Sequence, residues 1–216
     1  MADDGSNSMQ QNQKIRRKGF EMIDIQEHLK STRPTGEITN KRASLPDTVI
    51  RRANRQDAEL LVELGKRAFY EAFAEKTASE DMTAYLQTTF SIEETTTQLN
   101  NKDSLYLIIE LQADSVGYAY LYPTRPPECI KDPKAIQLIR FYLLKKCYGL
   151  GVGNTLMQTC LDESYARGYR SVWLSSWELN GRANAFYKRW HFKVVGRQKF
   201  VVGSDVQNDH IFRRDL

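Results

Sequence analysis

The sequence predicts an α/β domain on a mixed sheet of about seven strands with about four helices, and three observations predict it. Residues 140–144 are apolar and aromatic like a buried strand; glycines then recur at 149, 151 and 153, and a helical pattern starts at Asn154. A second strand at 171–176 follows that helix, so the two pair in parallel through a right-handed crossover. Short polar turns join strand-like runs at 105–111 and 115–121, and again at 192–202 and 210–216, which makes each pair antiparallel.

Taken in order, residues 1–47 read as a flexible extension and 48–216 as the domain. The first fourteen residues have no hydrophobic period, and Phe20, Ile23, Ile25 and Leu29 allow a helical turn or two before Pro34 stops it. A short strand opens the domain at 48–53. Asp57 is then placed to cap a helix carrying Leu60, Leu61, Leu64, Ala68 and Phe69 at helical spacing. A further helical run begins at Ser79 or Glu80 and carries Met82, Tyr85, Leu86 and Phe90. Ser91 with Glu94 has the form of a capping box, so another helix starts there and ends near Asn101. Pro123, Pro126, Pro127 and Pro133 mark a loop before the central strand at 135–144. In the helix after the glycines, Leu156 with Cys160 and Met157 with Leu161 share one apolar face, and Gly168 closes it in a left-handed conformation. A last helix spans 181–190, with Ala183, Phe186 and Trp190 on one side.

Composition removes several classes. A net charge of +4 over 216 residues is too small to imply nucleic-acid binding, and the basic cluster Lys14, Arg16, Arg17 and Lys18 reads as solvated tail. No apolar run has the length of a membrane span, and the N-terminus has no apolar signal segment. Cys129, Cys147 and Cys160 have neither disulfide-framework nor metal-ligand spacing, and His191 and His210 add no metal pattern. A reducing, cytoplasmic setting is the expectation.

The glycine turn carries the chemistry. Strand, glycines and helix N-terminus aim unpaired N–H groups and a positive dipole end at one point, which suits a phosphate or diphosphate. The dinucleotide pattern fails, because the spacing is G-x-G-x-G and the positions about twenty residues on hold Gly168, Tyr169 and Arg170 rather than an acid. The Walker-type Gly-Lys-Ser/Thr and the kinase His-Arg-Asp are also absent.

Residues 148–153, Tyr-Gly-Leu-Gly-Val-Gly, resemble the coenzyme A signature of the GNAT superfamily of N-acetyltransferases, Gln/Arg-x-x-Gly-x-Gly/Ala, except at the first residue. Residues 180–192 resemble the family's Asn-x-x-Ala-x-x-Phe-Tyr-x-x-x-Gly-Phe helix, with His191 at the usual Gly. The tail 200–216 is most similar to PaiA-like polyamine acetyltransferases. The likeness spans residues 48–216 and implies the GNAT fold, whose central parallel strands splay apart. It implies acetyl-CoA as co-substrate, no metal, a small-molecule amine acceptor and direct attack of the amine on the thioester. Homodimer formation is compatible with it.

By the same resemblance, Gly149, Leu150, Gly151, Val152, Gly153 and Asn154 cradle the diphosphate, with Tyr148 beside them. The backbone N–H of Leu143 would receive the thioester oxygen, Phe141 and Tyr142 would lie along the pantetheine arm, and Asn180 would hydrogen-bond it. Tyr187 would be the acid for the departing thiolate. Glu71, Glu75 and Asp81 are the candidates for steering the amine, and Lys145 and Lys146 for added charge at the phosphates. Asn180 also reads as a helix cap, Tyr187 as half-core packing, and Cys147 as an incidental thiol. Gln137 stands where PaiA relatives carry Glu. Two other functions stay open: a non-catalytic acyl-CoA-binding module, and acetylation of protein N-termini or lysines.

Overall fold

The structure, a computed structural model, describes residues 47–73, 86, 87, 89–202 and 205–216. Seven strands form one sheet in the order β1-β2-β3-β4-β5-β7-β6. They are β1 Thr48–Arg52, β2 Leu105–Leu111, β3 Asp114–Tyr122, β4 Ala135–Leu143, β5 Ser171–Trp177, β6 Lys193–Val202 and β7 Asp205–Asp215. The helices are α1 Ala58–Phe73, α2 Ile92–Asn100, α3 Val152–Ala166 and α4 Gly181–Arg189. Among the described strands only β4 and β5 are parallel; every other neighbouring pair is antiparallel.

Helices cover both faces. On one, Leu61, Leu64 and Phe69 of α1 pack with Tyr106, Tyr118, Tyr120 and Tyr142. On the other, Leu156, Met157 and Leu161 of α3 and Phe186 and Tyr187 of α4 pack with Leu107, Phe141, Leu174 and Phe212. Strand side chains alternate between these two cores as the pleat requires. The alternation breaks once in β4. Tyr120 lies opposite Arg140, yet Leu121 lies opposite Leu138, so Ile139 is an extra residue and β4 bends there.

That bulge sits where β4 leaves β5. The two strands pair only through Ala135 with Ser171, Ile136 with Val172 and Gln137 with Trp173. Beyond it β4 keeps β3, β5 keeps β7, and a V opens between them. Its closed end is tied by Asp132, which accepts from Lys134 N–H at 3.0 Å, Arg170 Nη2 at 2.8 Å and Ser171 Oγ at 2.9 Å.

Two expectations are corrected. Asp57 is not the cap of α1: a 3₁₀ turn, Arg55–Asp57, precedes that helix, and Asn54 caps it by accepting from Gln56 N–H at 2.9 Å. Asp57 closes the box by accepting from Asn54 N–H at 2.8 Å while Arg51 grips both its oxygens. The final strand is also longer than 210–216: it begins at Asp205 and inserts between β5 and β6. The extension at residues 1–46 and most of the helical run expected over 79–90 lie outside the described residues.

Candidate active site

A 3₁₀ turn, Lys145–Cys147, carries β4 into the glycines. Gly149 (φ 77°) and Gly151 (φ 81°) are left-handed, which a side chain at either position would resist. Gly153, by contrast, lies buried in the first turn of α3. Gly151 caps α3 without a side-chain hydrogen bond, so the chain's own cap leaves the first amides of the helix to another acceptor. Before Gly149 the space is open: a Cβ built there meets nothing within 4 Å. Leu150 between them is 46% exposed. An uncapped, dipole-positive helix end behind an open turn fits the diphosphate of coenzyme A. Gly149 to Asn154 would hold it, and the group would bring an activated acyl thioester.

The turn is fixed by its neighbours. Trp190 Nε1–H donates to Asn154 Oδ1 at 3.1 Å, joining the start of α3 to the end of α4, and Arg214 donates to the Trp190 carbonyl at 2.8 Å. Glu71 accepts from Lys145 N–H and from Arg67 Nε, each at 2.8 Å, so its carboxylate anchors the loop. Lys146 pairs with Asp114 at 2.9 Å. Tyr148, standing where the family has Gln or Arg, is half-buried with its hydroxyl enclosed and, among the described residues, without a hydrogen-bond partner. Burial pushes that phenol up, with Glu71 and Cys147 adding to it. The Arg182 guanidinium of α4 lies 5.9 Å from its ring and so brings positive charge to the loop by another route.

The V presents β4's backbone. Leu144 N–H donates to Val116 O at 2.9 Å on the β3 side. Successive amides of a strand point to opposite edges, so Leu143 N–H points into the gap. Gly117 allows β3 to press this close, since a Cβ there would collide with the Tyr142 carbonyl. Phe141 and Tyr142, expected along the pantetheine arm, and Leu143, expected at the thioester oxygen, divide between the faces. Phe141 and Leu143 join the α3/α4 core, where Phe141 meets Phe186 at 5.7 Å, while Tyr142 joins the other core against Phe90 and Tyr118.

Asn180 caps α4, accepting from Ala183 N–H at 3.3 Å. Asn184 binds the carbonyls of Trp177 and Glu178, locking α4 to the end of β5. Tyr187 is buried, its ring against Phe186, Phe192 and Phe212. His191 takes the left-handed position (φ 61°) that a Gly would ordinarily fill, and Phe192 N–H bonds back to the Tyr187 carbonyl. Cys147 is buried and its thiol pushed up by desolvation, which suits an inert side chain. Gln137 accepts from Thr124 Oγ1 at 2.7 Å. Glu75 and Asp81 lie outside the described residues. Among the described residues no three His, Cys, Asp or Glu converge as metal ligands, and no helix is long and apolar enough to cross a membrane.

Two charged residues near the V are absent from the sequence-based site. Arg140 on β4 is 2% exposed, donates to Tyr106 Oη and the Thr89 carbonyl at 3.3 Å, and lies 5.4 Å from the Phe90 ring centre. Asp209 on β7 is 1% exposed, and among the described residues neither carboxylate oxygen has a hydrogen-bond partner. A charge inside an apolar strand was the available signal for Arg140. Asp209 gave none, because its flanks Asn208 and His210 are polar too.

Residues 65–192 match the acetyltransferase (GNAT) family. An uncharacterized N-acetyltransferase of Mycobacterium tuberculosis is 28% identical over 160 residues, spanning 74% of this chain and 98% of that one. Another, from the pepI 3′ region of Lactobacillus delbrueckii subsp. lactis, is 22% identical over 163 residues, 76% of this chain and 94% of that one. Among solved structures, PaiA N-acetyltransferase from Thermoplasma acidophilum, in complex with coenzyme A, superposes with TM-score 0.65 at 20% identity, over 79% of this chain and 99% of that one. Ribosomal-protein-alanine N-acetyltransferase from Brucella melitensis gives 0.61 at 21%, over 78% and 99%. At such identities the two structures speak for the fold. The chain belongs to the acetyltransferase (GNAT) family. It is an acetyltransferase, and acetyl-CoA is its acyl donor.

Proposed function

We propose that the chain moves the acetyl group of acetyl-CoA to a primary amine of a small molecule, a polyamine or a related amine. The observation that carries this reading is the V between β4 and β5, with the uncapped start of α3 at its mouth and Tyr187 on the helix beside it. The acetyltransferase domain is placed at residues 48–216. Free thiols at Cys129, Cys147 and Cys160 support a reducing, cytoplasmic setting.

In this reading the amides of Gly149, Gly151, Val152 and Gly153 bind the diphosphate, Leu150 N–H being turned to the Cys147 carbonyl, and Asn154 orients the loop through Trp190. The Leu143 N–H faces the thioester oxygen as charge gathers there, without reorganising at that moment. Tyr187 holds the proton that the leaving sulfur needs, and its aromatic cage keeps water away from it. Asn180 positions α4 and borders the pantetheine arm. Glu71 is left out of substrate steering, since it anchors the loop.

Thiol release from acetyl-CoA with a panel of amines tests the reading. Release that depends on spermidine or a similar amine is the expected result. Release only with peptide N-termini or lysines would move the acceptor to proteins, and acetyl-CoA binding without release would favour a binding module.

A further inference from the structure

A carboxylate removed from water and left without a donor is costly, so its persistence calls for a cation or donor that comes and goes. Asp209 is such a group. It lies directly opposite Trp177 on β5 and Gln198 on β6, so the three share a face of the sheet. Trp177 packs against the cluster holding Tyr106, Tyr118 and Tyr142. Asp209 is therefore on the α1/α2 side, at the end of β5 where the V is open. The phosphate turn, Tyr187 and α4 belong to the opposite, α3/α4 side. The V joins the two faces.

From this placement, and resting on the acetyltransferase reading above, we infer that Asp209 is the carboxylate that receives the acceptor's ammonium group and takes its proton. The donor enters from the α3/α4 face and the amine from the α1/α2 face. The Asp209 carboxylate takes one proton from R–NH₃⁺, which frees the nitrogen lone pair. The N–C bond then forms as the C–S bond breaks, and the sulfur leaves with the electron pair. Tyr187 gives its proton to the sulfur and regains one from the nitrogen. Asp209 returns its proton to solvent, so the products are the amide, the free thiol and one proton.

The surroundings of Asp209 suit that task. Burial pushes its carboxyl up to about 7, Glu178 at the end of β5 adds to the rise, and Gln198 opposes it without reaching hydrogen-bond geometry. Asn208 holds Glu178 through Oε1 at 3.2 Å. His210 follows in the chain but pairs with Ser176 and faces the other side. Arg140, a further buried charge on this face, is on β4, with β5 between it and β7, and is held by Tyr106 and Thr89. A proton acceptor near neutral pH is what removal of a proton from an ammonium at working pH needs.

The test is Asp209→Asn and Asp209→Gly beside the wild-type full chain, read by acetyl-CoA affinity and by thiol release with spermidine and other primary amines. Asp209→Asn is expected to bind acetyl-CoA within about twofold of wild type and to lose about a hundredfold in kcat/KM for the amine. The acid limb of the wild-type pH profile, near 7, should vanish in the variant. Sodium formate should restore part of the turnover of Asp209→Gly, which a purely structural role would not allow. Wild-type turnover with an unchanged rate and pH profile in Asp209→Asn overturns the role of Asp209 alone. A wild type that binds acetyl-CoA and releases no thiol with any amine overturns the acetyltransferase reading, and this role with it.

Discussion

Two buried aspartates stand beside the two ends of β5, and the fold treats them in opposite ways. Asp132, 5% exposed, closes the joined end of β4 and β5 and is surrounded by donors: a backbone amide, a hydroxyl and the Arg170 guanidinium. Burial alone would raise its carboxyl, but Arg170 and the other donors outweigh that and hold it below the usual range. Asp209 lies toward the open end with both oxygens unpartnered among the described residues, and burial pushes it up to about 7. The chain can therefore satisfy a buried carboxylate when the group's task is to hold strands together. Where it leaves one unsatisfied, the partner is expected from outside.

The largest effect should come from breaking the closed end. Asp132→Ala removes the acceptor shared by Lys134, Arg170 and Ser171 and should cost about 2–3 kcal/mol in urea unfolding. Arg170 keeps most of its water, its side chain being 64% exposed, which holds the loss below that of a fully buried pair. Because the Asp132 pKa is depressed by folding, its contribution is present above about pH 4 and fades as pH falls through the folded value. The gap between wild type and variant should shrink accordingly in acid.

Next, Tyr187→Phe should lower kcat by about a hundredfold with acetyl-CoA affinity nearly unchanged, since it removes a proton donor and keeps the ring packing. Single-turnover kinetics checks this, and an unchanged rate would leave Tyr187 a packing residue. The open end should answer Asp209→Asn with a gain in stability of about 1–2 kcal/mol at pH 7.5. The sign follows from a folded pKa raised to about 7: stability is lost as pH rises from about 4 through 7, so the variant's advantage should appear across that window and be absent below it. Thermal unfolding against pH reads it. The smallest change is His191→Gly, which relieves a left-handed residue at the end of α4 and should add about 1 kcal/mol in the same measurement.

Much of this architecture was legible beforehand, and the misses share a cause. Gly149 and Gly151, the crossover to β5 and the helix beginning after Ser91 follow from local patterns, and each appears close to its expected place. Asp57 was misplaced because Asn54, three residues earlier, competes for the same capping work and Arg51 holds the acid in the box. The bulge at Ile139 was invisible, since an extra apolar residue in an apolar run leaves no trace in the period. Yet the bulge coincides with the departure of β4 from β5. Asp209 was hidden by its polar neighbours, which make β7 read as a solvated edge until the topology places β7 inside the sheet. Glu71 was a candidate for steering the amine, and only the fold brings Lys145, far along the chain, to its carboxylate. Local chemistry was readable; what the V brings together was not.

The central claim is that the gap-facing backbone of β4 and the uncapped start of α3 together hold acetyl-CoA. Amide hydrogen exchange by NMR, with and without coenzyme A, addresses both at once. The account predicts added protection at Leu143 and at Val152 and Gly153, with the Leu144 amide, already bonded to Val116, unchanged. Binding of coenzyme A that leaves Leu143, Val152 and Gly153 exchanging as before would contradict it.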